Sequence, residues 1–186
     1  MATQLWTGPA GPLQPGTSVA QTTFTAARGL PVGQAGDSVP MINPSQIQPG
    51  SHIQVEAWGV ASNTGTPTLI LGLYWGGVVS AAVGGVAIAV STAKTTTTAM
   101  SAWEWHLWYT GRIVSCGTTG SIIGSGYWNL PTSLTAWTQI RFPETAPAAV
   151  TIDTSIPKSL VVGATWSASS ASNSITCHEC LVEVHG

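Results

Sequence analysis

The sequence predicts an all-β fold, an antiparallel β-sandwich of jelly-roll type with an extended N-terminal arm. Three observations predict it. In SAWEWHLWYTGRIVSC, residues 101–116, the side chains Trp103, Trp105, Leu107 and Tyr109 recur at every second position, while Glu104, His106 and Arg112 take the other parity together with Trp108. Successive side chains of a strand point to opposite faces, so one face here is aromatic and must be covered, and the other is half polar. Wound as a helix, the same tryptophans would spread around the circumference and leave no clean polar side. Further alternating segments follow at short intervals between Gly, Pro, Asn and Ser clusters, the spacing of a sandwich or barrel. Abundant Thr, Ser and Gly favour strands and turns over helices. An open sheet of about nine to eleven strands would expose long edges, so two packed sheets are expected.

At 186 residues the chain can bury a sizeable core in one domain. Only 6% of its residues are charged, against about 25% in an average soluble domain. Surface that other proteins solvate with charge is therefore expected to be covered by copies of this chain or by a partner. Five Lys and Arg against seven Asp and Glu give a net charge of -2, with no basic stripe to neutralise phosphates, which argues against nucleic-acid binding. Three cysteines, Cys116, Cys177 and Cys180, are an odd number; a complete disulfide framework is excluded, and reduced, packed thiols are expected. MATQLWTGPAGP has no basic region followed by an apolar run, so no secretory signal is expected.

Residues 1–50 hold seven of the twelve prolines and read as an extended arm with one strand, Val19 to Ala27; residues 51–186 read as the sandwich. Trp6 stands alone among turn residues, either an anchor for a neighbour's pocket or a lid on its own core. With Leu5 and Leu13 it forms the candidate assembly contact. From His52 the alternation is regular, Ile53, Val55 and Ala57 against His52, Gln54, Glu56 and Trp58, up to the turn cluster SNTGTP. Thr68 to Tyr74 then returns as a hairpin. Residues 69–90, LILGLYWGGVVSAAVGGVAIAV, are long and uncharged enough for a membrane span. Their five glycines and weak flanking charge favour instead two strands joined around Gly76-Gly77, with a bend at Gly84-Gly85, and no membrane partner. A strand is expected at Ser121 to Trp128, where Gly124 and Gly126 point to a bulge or a close backbone approach. A turn at Leu130-Pro131 follows, then strands at Trp137 to Phe142, Val150 to Asp153, Leu160 to Ala168 and Ile175 to His185.

The residues that carry chemistry form no linked constellation. Cys177-His178-Glu179-Cys180 contains a CxxC, but zinc needs four converging ligands, and residues three apart on a strand face opposite ways unless the strand bends. A redox CxxC would sit at a helix N-terminus, and no helix is predicted. His52, His106, His178 and His185 belong to no HExxH, no GxSxG elbow occurs, and the acids are scattered. The glycines after Cys116 lack the Lys and Ser or Thr of a phosphate loop. The nine tryptophans could stack against sugar rings, although Trp103 and Trp105 take the core parity. No catalytic residue, metal ligand or cofactor site is expected.

VEAWGVASNTGTPTLILGLYWGG, WEWHLWYTGRIVSCGTTGSIIGSGYW and VTIDTSIPKSLVVGATWSASSASNSITCHECLVEV together resemble small virion proteins of tailed bacteriophages that infect actinobacteria. The resemblance runs from about His52 to the C-terminus. It implies a jelly-roll protein, trimeric, made in the host cytoplasm and carried on the capsid surface as a decoration or minor capsid protein in contact with the major capsid protein. It supplies no catalytic residues. A minor tail or fibre protein that touches host glycans is the alternative that the same phrases allow.

Overall fold

A computed structural model describes residues 3–6, 21–22, 26–32, 39–79, 81–133 and 136–186, with the backbone alone for 3–6 and 21–22. Two antiparallel sheets pack face to face, and the described residues include no α-helix. The strands are β1 (Thr3–Trp6), β2 (Gln21–Thr22), β3 (Arg28–Gly29), β4 (Met41–Ile42), β5 (His52–Ser62), β6 (Thr68–Trp75) and β7 (Val86–Val90). They continue with β8 (Lys94–Thr95), β9 (Trp103–Ser115), β10 (Gly120–Ser133), β11 (Ala136–Phe142), β12 (Val150–Ile152), β13 (Lys158–Trp166) and β14 (Ser174–His185). The larger sheet runs β1-β14-β5-β9-β10-β11, with β2 also on β14 and β12 also on β10. The smaller runs β3-β13-β6-β7, with β4 on β13 and β8 on β6.

The period-two pattern decides which side chains meet between the sheets. On β9, Trp105, Leu107 and Tyr109 are fully buried and Trp103 is half-buried, as the parity predicts. On β5 the same rule buries Ile53, Val55 and Ala57. Trp128 from β10 and Trp166 from β13 complete an aromatic centre to which both sheets contribute. Tyr109 needs special room: a Cβ at Gly111 would collide with its ring and hydroxyl, one at Gly124 with its hydroxyl, and one at Gly126 with the Trp108 carbonyl. The close approach expected at Gly124 and Gly126 is therefore present, and it lets the Tyr109 ring stack on Phe142 at a centroid distance of 6.1 Å.

The uncharged run 69–90 forms β6 and β7, paired antiparallel from Gly72↔Val90 to Trp75↔Val86; no described helix is long and apolar enough to cross a membrane. Gly84 and Gly85 both take positive φ, 57° and 67°, at the expected bend. One expected turn is absent. Leu130 and Pro131 lie inside β10, paired with Thr138 and Trp137 of β11. β10 pairs with β9 only as far as Asn129, so on that side of Pro131 no partner strand requires an N–H.

Of the expected strand at Val19 to Ala27, residues 21–22 form β2, Ala26 and Ala27 precede β3, and the rest lies outside the described residues. Further along the same segment, Leu30 and Ile42 are buried in the common core.

A candidate binding face on the larger sheet

The outward parity of the larger sheet gathers the side chains that can do chemistry. Strand register lines them up in rows. One row reads Glu179, Trp58, His106, Asn129 and Gln139 across β14, β5, β9, β10 and β11; the next reads Leu181, Glu56, Trp108, Tyr127 and Arg141. Four of the seven acids, Glu56, Glu104, Glu179 and Glu183, stand on this face, and so do all four histidines. Arg112 and Arg141 are the only lysines or arginines among the described residues that share it.

The rings make a continuous band. His178 meets Trp58 at 5.1 Å, Trp58 meets His106 at 6.3 Å, His106 meets Trp108 at 5.1 Å, and Trp108 meets Tyr127 at 5.0 Å. The last three contacts are stacked, with interplanar angles of 20°, 16° and 29°. Trp58 Nε1 donates to Glu179 Oε2 at 2.9 Å, and His106 Nε2 contacts Glu104 Oε1, so two glutamates are held in place by the band. Trp58 and Trp108 thus belong to the solvent side, as their parity says. The sequence alone leaves His106 and His178 unlinked; Trp58 links them.

At one end of the band lies a cleft of about 400 Å³, walled by Trp103, Glu104, His106, Trp108, Asn129 and Trp137. Trp137 on β11 is 68% exposed. The rim at Ser101 and Ala102 is fixed by a buried hub, Asn63. Asn63 Nδ2 donates to Thr96 Oγ1 at 2.5 Å and to the Thr97 carbonyl at 3.0 Å, and the Met100 N–H donates to Asn63 Oδ1 at 2.8 Å. In the sequence Asn63 belongs to a turn cluster and Trp137 to a strand, and neither is marked as part of a site. The signal for the cleft is the adjacency of β9, β10 and β11, which periodicity alone does not supply.

The expectation that Cys177 and Cys180 face opposite ways is corrected. A bulge lets β14 pass from Cys177↔Gly59 to Glu179↔Trp58, which inserts His178 and returns both cysteines to the core. Burial pushes the Cys177 thiol well up, helped by the neighbouring Cys180, and burial with nearby Glu179 pushes Cys180 up to about 12. Cys116 is exposed. Among the described residues no three His, Cys, Asp or Glu side chains converge as a metal site requires. Of the candidate assembly contacts, Leu5 and Trp6 lie in β1 against Glu183 and Val182 of β14, and Leu13 lies outside the described residues. No family model matches this chain, and no curated protein matches it.

Proposed function

We propose that the protein is a non-catalytic structural component of a tailed-phage virion, bound to the outside of the capsid as a decoration or minor capsid protein. In this reading it works as a homotrimer and contacts the major capsid protein. The observation that carries the reading is the pairing of β1 on β14. One side of β14 is paired with β5 along its length, whereas among the described residues the other side receives short pieces, β1 at Val182 to His185, β2 at Ser174 and Ile175, and a single bridge from Val32 to Cys177. Such pairing uses backbone groups, so the edge of β14 in a neighbouring copy offers an arm the same bonds as its own. An arm of this kind can lash copies together or to a lattice, and binding only to the assembled shell stabilises that shell by mass action. The strand orders β1-β14-β5-β9 and β3-β13-β6-β7 support reading the sandwich as a jelly roll, with β10 to β12 as an excursion.

Imaging of purified particles tests the proposal. Density on the capsid at quasi-threefold or hexamer positions is the expected result; density confined to the tail overturns it. The second outcome would favour a tail or fibre component, which the aromatic band on the larger sheet also suits.

A further inference from the structure

We infer that the cleft between Trp103, Trp108 and Trp137 binds a neutral saccharide, with a sugar ring lying on the Trp137 indole and its hydroxyls meeting Glu104 and Asn129. Its volume of about 400 Å³ falls within the range of about 300–1,000 Å³ usual for small-ligand sites. The lining has the two chemistries that a pyranose ring needs. One face of such a ring presents C–H groups, whose partial positive charge suits the negative π face of an indole, and its rim presents hydroxyls.

Trp137 supplies an open indole at 68% exposure, on a strand that leaves it out of the core. Glu104, its side chain 59% exposed, supplies a carboxylate already oriented by His106. Asn129 Oδ1 has no hydrogen-bond partner, and a turn about its broad terminal torsion brings the amide to a ligand hydroxyl. The stacked His106 and Trp108 rings stiffen the floor, so little ordering is left to binding.

A second copy of the chain is the less fitting occupant. Four glutamates and two arginines share this sheet face, so the same face brought against itself would set carboxylates against carboxylates. A polyhydroxyl ligand carries no charge to repel.

The inference holds whether the protein sits on the capsid or on the tail, and its test uses the isolated full-length protein rather than particles. The probes are neutral trisaccharides of glucose, galactose and N-acetylglucosamine, followed by intrinsic tryptophan fluorescence and by saturation-transfer NMR. At least one is expected to bind saturably with millimolar affinity or better. Trp137→Ala should weaken that affinity at least about tenfold, Trp137→Phe should keep most of it, and Glu104→Gln should weaken it several-fold. An unchanged melting curve for each variant shows that folding is intact. The absence of saturable binding up to about 50 mM overturns the inference, and so does affinity unaffected by Trp137→Ala. If Trp137→Ala instead lowers the sedimentation mass without altering sugar binding, the cleft is a contact between copies and the inference is likewise overturned.

Discussion

Single residues set the local geometry around β14. Gly59 sits opposite the bulge, where a Cβ would overlap the Thr176 carbonyl oxygen, the same oxygen that accepts a hydrogen bond from Trp105 Nε1 at 3.1 Å. Gly59→Ala should therefore force the two strands apart and cost about 2 kcal/mol, lowering the melting temperature by about 4–8 °C. Chemical denaturation of the variant checks this, and a neutral result would mean that the bulge adjusts freely. The bulge also decides the thiols. The thiolate is the reactive form, and burial disfavours it at both Cys177 and Cys180. A thiol titration of the native protein should count one rapid group, Cys116, and three groups in denaturant. The two buried thiols should react at least about a hundredfold more slowly before unfolding. Rapid reaction of all three under native conditions would place the CxxC at the surface.

At the scale of elements, β1 is the piece whose loss separates assembly from folding. Its four residues pair with the end of β14, while the buried core among the residues with described side chains runs from Leu30 onward. Truncation of residues 1–16 should shift the denaturation midpoint little yet reduce occupancy on particles strongly. Occupancy equal to the full chain, measured by imaging, would mean that attachment runs through another surface. Most strands are legible in the sequence: β5, β6, β9, β11, β12, β13 and β14 fall within a residue or two of their expected bounds. β10 was only half legible, because Gly124 and Gly126 dilute its pattern and Pro131 reads as a stop until the course of the neighbouring strands is known. The cleft was illegible for a related reason. The parity of Trp108 places it on the solvent face, but only the β9-β10-β11 order brings Trp137 to the same hollow. Likewise a bulge is a property of two strands, and β14 read alone gives no sign of it.

For the whole molecule, the question is what ties two sheets together at their wet margin, where apolar packing ends. Two polar clasps do so. Glu144, just after β11 of the larger sheet, takes a 2.8 Å ion pair from Lys94 of β8 in the smaller sheet and a 2.8 Å hydrogen bond from Thr92. Asp153, just after β12, accepts from the Ser155 hydroxyl at 2.6 Å and faces Lys158 of β13 at 3.7 Å, while its carbonyl accepts from Trp75 Nε1 at 2.8 Å. The Lys94 and Thr92 hydrogen bonds hold the Glu144 carboxyl below its ordinary value of 4.5, and the Ser155 hydrogen bonds hold Asp153 below its ordinary 3.8. A carboxyl whose folded-state pKa is depressed adds stability above its unfolded value and loses it as the pH falls through the folded value. Lys94→Met should therefore be less stable than the parent at neutral pH by a modest, salt-sensitive margin, since the pair is open to solvent. That margin should hold down to about pH 5 and close progressively below about pH 4.5 as Glu144 protonates in both proteins. Urea denaturation of parent and variant across that range reads the margin directly. A gap that persists at about pH 2.5 would assign the effect to lost packing of the Lys94 stem rather than to its charge.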